Sequence, residues 1–156
     1  MWEKTTHVPY IIVSKDIIKP GTIITRPVDL MTIYPTLIDL CKLKKKDDIE
    51  GISLLPLIND PTIELPPALS TYMYGNHALR TERWRYIRYV DGSEELYDHF
   101  NDPNEWTNLA NKKEYEEIIR NLRCYLPKHD AQQVKDMEMP NIINTEYKNP
   151  TATIVK

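Results

Sequence analysis

The run Val8-Pro9-Tyr10-Ile11-Ile12-Val13 is apolar without alternation and rich in β-branched residues. That pattern predicts a strand buried on both faces. Such a strand needs a neighbour on each side, and the next strong strand pattern lies far downstream. The chain is therefore expected to enter in the middle of a sheet. Lys15–Pro27 reads as an irregular connector with a turn at Lys19-Pro20-Gly21-Thr22. Leu30, Ile33, Tyr34, Leu37, Ile38 and Cys41 then recur at helical spacing and predict one apolar stripe, kinked or split at Pro35. On that stripe Cys41 reads as a small buried hydrophobe. Lys42, Lys44, Lys45 and Lys46 read as a solvated helix end that complements the dipole. Gly51–Ile58 predicts a turn and one short helix capped by Ser53.

Asn59–Pro67 is Pro-rich and reads as a linker, beyond which the pattern changes. Ala68–Tyr74, Ala78–Arg83, Trp84–Val90 and Glu95–Asp98 are short runs rich in Tyr, Trp, Ile and Thr, and predict strands. Between Trp84 and Val90 large rings and arginines alternate, as in a sheet with two different faces. Asp91-Gly92-Ser93 is a hairpin signal. Asp102-Pro103-Asn104-Glu105-Trp106 reads as a loop anchored by its tryptophan. Tyr115, Ile118, Ile119, Leu122 and Leu126 predict an amphipathic helix, capped by Asn111 with Glu114 as capping-box partner and ended by Pro127. Residues 129–156 are polar and predict an extended tail. The fold class is α+β: a small antiparallel sheet with one packed C-terminal helix, preceded by the last strand and helix of a larger α/β domain. The boundaries fall at residues 1–60, 61–128 and 129–156.

Composition narrows the function. Twelve prolines stand against four glycines, and no Gly-rich phosphate loop or dinucleotide fingerprint is present. The net charge is -3, which with no extended basic block argues against nucleic acid. No apolar run reaches the length of a membrane span. Two cysteines make neither a disulfide framework nor a zinc site. The histidines at 7, 77, 99 and 129 are scattered, and no Ser–His–Asp arrangement or paired-acid spacing is found. His7 reads as a structural histidine at the strand entry. Trp84, Tyr86 and Tyr89 read as core rather than a sugar platform.

The order of the pieces is more specific than any one of them. Trp2-Glu3-Lys4-Thr5-Thr6-His7-Val8-Pro9, then Tyr34-Pro35-Thr36-Leu37 on a helix, resemble the closing segments of the type I sulfatase catalytic domain. Gly51-Ile52-Ser53-Leu54-Leu55-Pro56-Leu57 resembles the stretch that follows there. Arg80-Thr81-Glu82-Arg83-Trp84-Arg85-Tyr86-Ile87, Glu95-Leu96-Tyr97-Asp98 and Asp102-Pro103-Asn104-Glu105-Trp106-Thr107-Asn108-Leu109 resemble its C-terminal subdomain. The series covers residues 2 to 127 in the order of that family, within the alkaline phosphatase superfamily.

This resemblance implies a sulfuric ester hydrolase acting on sulfated carbohydrates, with an upstream catalytic domain as partner. It implies formylglycine and calcium for the full-length enzyme and neither in this chain. Cys41 and Cys124 both depart from the Cys/Ser-x-Pro-x-Arg motif that yields formylglycine, and the calcium ligands and a sulfate-contacting lysine would precede Met1. The chain alone is expected to be inactive, with no catalytic and no metal-binding residue. Its contribution would be one wall of the substrate pocket, from His77, Asn76 and Arg80 in the Gly75–Arg80 stretch. Two other readings remain open: a fragment of a related phosphoester hydrolase, and a stand-alone binding module. The family is mostly periplasmic, secreted or lysosomal, which leaves the compartment open. Deleting residues 1–60 is expected to leave a more soluble remainder.

Overall fold

The computed structural model describes residues 1–15 and 17–131. Four strands, β1 (Ala68–Thr71), β2 (His77–Arg80), β3 (Trp84–Arg88) and β4 (Glu94–Asp98), form an antiparallel meander in sequence order. Register is set by pairs such as Leu79 with Tyr86 and Tyr86 with Leu96. The hairpin at Asp91-Gly92-Ser93 forms as expected. Gly92 takes a positive φ of 84°, and the Asp91 carboxylate accepts from the Ser93 amide and hydroxyl. A helix, α4 (Glu116–Arg123), covers one face. Leu79, Tyr86 and Leu96 meet Leu109, Ile119 and Leu122 there, with Trp84 and Tyr115 stacked edge to face. The core assignment of Tyr86 is met.

Several expectations are corrected. Val8–Val13 forms no strand and pairs with none among the described residues, and Ile11 and Val13 are exposed. Strand propensity is fulfilled only by a neighbour that takes the backbone hydrogen bonds, and no described segment pairs with this one. His7 is exposed and ends a one-turn helix, α1 (Glu3–Thr6), so it holds no strand entry. The helix after the connector is not split by Pro35. A 3₁₀ turn at Leu30–Thr32, capped by Asp29, leads into α2 (Ile33–Leu40), and Pro35 falls in its first turn, where a missing N–H is tolerated. Only Ile38 of the predicted stripe is buried; Leu30, Leu37 and Cys41 are exposed. The capping box also fails. Lys113–Tyr115 forms a 3₁₀ turn ahead of α4, with no side-chain cap. Beyond Ala131 the expected tail lies outside the described residues.

The first sixty residues are organised by polar contacts between the recognised motifs. Thr36, fully buried on α2, donates to the Thr32 carbonyl at 2.6 Å and accepts from the Leu54 amide at 2.8 Å. Leu54 immediately precedes the short helix α3 (Leu55–Asn59). Ser53 Oγ accepts from the Leu55 amide at 3.2 Å, one residue ahead of the cap position. A Cβ on Gly51 would sit 2.0 Å from the Met31 carbonyl oxygen, so only glycine lets these two backbones meet. Thr36→Val is therefore expected to orphan a buried amide and cost about 1–3 kcal/mol in urea unfolding, with Thr36→Ser largely sparing it. A further tie reaches the sheet, from the Leu69 amide to Asp29 Oδ2 at 3.2 Å.

Candidate functional site

The alternation along β2 and β3 sends two sets of side chains to opposite faces. Leu79, Tyr86 and Leu96 turn toward α4. Ala78, Ile87 and Tyr97 form a second cluster with Met1 on the other face. Arg80 and Arg85, paired in register, belong to that second face. Arg85 is buried, with its side chain 3% exposed. A guanidinium cannot be deprotonated here, so burial obliges it to find anions and acceptors.

It finds them in the segments at both ends. Arg85 Nε lies 2.7 Å from Glu105 Oε1, and its other nitrogens donate to the Met1 carbonyl, the Thr6 hydroxyl and Glu3 Oε2. Arg80 donates to the same Glu3 oxygen at 3.0 Å and reaches His99 Nδ1 at 2.8 Å. His99 Nε2 meets Glu105 at 2.8 Å, and the Glu3 amide donates to Glu105 Oε2. Arginine only donates, so His99 Nδ1 must accept and Nε2 must carry the proton given to Glu105. The imidazole is then neutral, and two carboxylates balance two guanidiniums. Glu105 enters this network because it takes a positive φ of 58°, in a loop pinned by Asp102, whose carboxylate accepts from the Thr107 amide. Trp106, expected as the loop's anchor, points outward at 83% exposed. The buried anchor is its neighbour Glu105.

A cavity of about 600 Å³ opens above this network. Glu3, Arg80 and Arg85 floor it, and Val8, Tyr10, Ile12, Leu54 and Leu57 are among its apolar walls. Of the three expected binding residues, Arg80 alone lines it. His77 lies at the far end of β2, on the face shared with Leu79. It is buried, with Nδ1 3.0 Å from Thr71 Oγ1 and Nε2 2.8 Å from Asp130. Asn76 sits in the intervening loop, its amide donating to the Tyr72 and Tyr74 carbonyls and its carbonyl oxygen accepting from Val90 N. The structure thus separates Arg80 from the other two. Sequence reasoning missed Glu3, Arg85, His99 and Glu105. The legible signal was an arginine between two aromatic residues in a strand with both faces covered, which demands a counterion.

Glu3, His99 and Glu105 bring three ligand-type atoms within 4.8 Å of one another. They do not suit a metal. Both carboxylates are neutralised by arginine, and each nitrogen of His99 is already engaged. Neither cysteine fits a formylglycine site; both are exposed, and Cys124 Sγ contacts the Arg120 carbonyl.

The same electrostatics set a pH response. Arg83 grips Asp98 with two hydrogen bonds, and Arg123 grips Glu94; each holds its carboxyl below the ordinary range. Burial disfavours the ionised form of Glu3, but the hydrogen bonds from Arg85 and Arg80 outweigh it and hold its carboxyl below the ordinary glutamate range. Groups depressed in the folded state bind protons more weakly there than in the unfolded chain. Their stabilisation is complete above the unfolded values and is lost as pH falls through the folded ones. Urea midpoints are expected to fall steadily below about pH 4.5, the ordinary glutamate value, and Asp98→Asn is expected to flatten that fall.

The comparisons with known proteins follow the same lines. A model of the family "N-sulphoglucosamine sulphohydrolase, C-terminal" matches residues 1–132. The chain belongs to this sulfatase C-terminal family. A sulfatase of Formosa agariphila is 37% identical over 132 residues, covering 84% of this chain and 26% of its own length. Arylsulfatase K of Homo sapiens is 34% identical over 128 residues, covering 72% of this chain and 24% of its own. Among solved structures, a 2-O GAG sulfatase aligns with TM-score 0.50 and 30% identity, over 58% of this chain and 22% of that one. A protein solved with its substrate D-glucosamine-2-N,6-O-disulfate aligns with TM-score 0.50 and 26% identity, over 58% and 21%. The chain spans about a quarter of the length of the curated relatives it matches. The resemblance to the C-terminal portion of a sulfatase and the α+β subdomain are both met.

Proposed function

We propose that this chain is the C-terminal portion of a sulfuric ester hydrolase acting on sulfated carbohydrates, with its catalytic machinery in an upstream domain. One observation carries the reading: the motifs that define the resemblance bond to one another. Thr36 meets Leu54, Arg83 meets Asp98, and Glu3 meets Arg80 and Arg85. The network at Glu3 fixes α1, and with it the direction in which any preceding chain runs. Arg80, paired with Glu3, lines the cavity; His77 and Asn76 remain proposed contacts of the substrate-pocket wall of the full enzyme, outside this cavity. The division at 1–60, 61–128 and 129–156 belongs to this proposal, although Glu3 and Asp29 bond across its first boundary.

Sulfate ester hydrolysis needs an activated nucleophile and cations on the sulfate oxygens. Formylglycine and calcium would supply these in the full enzyme, and the residues described here fit neither group. The upstream domain is the partner proposed for the exposed apolar residues of the first half, and Val8–Val13 would gain its strand neighbours there. The test is turnover of an aryl sulfate by the 156-residue chain and by a longer form that includes the upstream coding sequence. The longer form is expected to be active and the chain to stay at the buffer rate. Enzyme-like turnover by the chain alone would refute the division.

A further inference from the structure

The loop between β1 and β2 presents Tyr72, Met73 and Tyr74 in succession, at 60%, 66% and 47% exposed. The other aromatic residues of the sheet are treated differently. Trp84 and Tyr86 pack in the core, and Tyr89 and Tyr97 bond to Glu95. The exposed loop is nonetheless firmly built. The Tyr72 amide donates to the Asn76 carbonyl, and the Asn76 side chain ties Tyr72, Tyr74 and Val90 together. Gly75 takes a φ of 72°, and a Cβ there would stand 2.9 Å from Val90 Cγ2. Met73 holds a φ of 57°, a left-handed conformation that a side chain makes unfavourable. Strain of this kind persists where the surroundings enforce it, and it clusters at binding sites.

We infer that this loop is a carbohydrate-stacking site, a platform on which Tyr72 and Tyr74 receive a sugar ring of a sulfated glycan. The inference rests on the sulfatase reading above and extends it to units beyond the one that reacts. Two phenol rings carry an apolar face and a polar edge, which suits the apolar face and hydroxyl rim of a pyranose. A rigid loop loses little conformational freedom on binding. Arg88 is a basic residue at the same end of the sheet, where Asp130 also stands, 2.8 Å from His77 Nε2. Arg88 stands opposite His77 in register at the loop end of the sheet and is exposed. Its cross-strand neighbour Glu94 is already paired with Arg123.

The experiment titrates the full 156-residue chain with a sulfated glycosaminoglycan tetrasaccharide and with its unsulfated counterpart, following amide and tyrosine-ring NMR signals. Signals of Tyr72–Asn76 and Val90 are expected to move, more with the sulfated sugar. Tyr72→Ala/Tyr74→Ala is expected to weaken binding about tenfold without changing the unfolding midpoint, while the double Phe variant retains it. Sugar binding that leaves these signals unmoved, or no sugar binding, overturns the inference. So does a shift that follows protein concentration alone, which would mark a contact with a second copy. None of these results bears on aryl sulfate turnover by the longer form, so the two readings fail separately.

Discussion

Arg85→Met is expected to destabilise the chain by about 3–5 kcal/mol, the cost of leaving the buried Glu105 carboxylate without its cation while Glu3 keeps Arg80. The substitution keeps an aliphatic stem of similar length, so cavity formation contributes little. What it removes is the one group that touches Glu3, Glu105, Thr6 and the Met1 carbonyl together. Glu105, with its side chain 4% exposed, would keep only the His99 proton and the Glu3 amide. Combining Arg85→Met with Glu105→Gln removes the stranded charge and is expected to recover at least half of the loss. That coupling would be read from a double-mutant cycle of urea unfolding free energies. A single-variant cost near that of a surface ion pair, below about 1 kcal/mol, would show that the network is not a fixed structure.

The network also shows what was and was not legible. The strands were readable because each is a local run of Tyr, Trp, Ile and Thr punctuated by turn residues. Of the alternation read between Trp84 and Val90, Trp84, Arg85 and Tyr86 do sort to two different faces, but Arg88 falls on the face of Trp84 and Tyr86 and not with Arg85. Which face Arg85 used, and with what counterions, was not readable. Glu3 lies 82 residues from Arg85, and no local pattern links them. Val8–Val13 failed for a related reason: its composition reports a preference for pairing, and pairing needs a partner. Cys41 and the stripe on α2 show that helical spacing predicts a helix without predicting what covers it. At Trp106 size misled. The loop's conformation is set by Asp102 and by the inward turn of Glu105, and charge burial there outranks the larger ring. The motif series survived these errors because order and spacing persist even where individual contacts cannot be foreseen.

Deleting residues 1–60 is the sharpest test of how the two parts relate, and its expected result has two sides. The deletion removes Ile11, Val13, Ile23, Leu30 and Leu37, all exposed apolar side chains that favour association. Solubility is therefore expected to rise. Stability is expected to fall in the same experiment, because Arg80 and Arg85 lose Glu3 and the Leu69 amide loses Asp29. The remainder should still fold. Every member of the cluster under α4 lies beyond residue 60, as does every strand of the sheet. A variant beginning at residue 61 should then unfold cooperatively at a urea midpoint well below that of the full chain. Adding Arg85→Met to it should cost less than in the full chain, since one of the two carboxylates is already gone. If the shortened chain instead lacks cooperative unfolding, the sheet depends on the first sixty residues for its core and not only for its counterions.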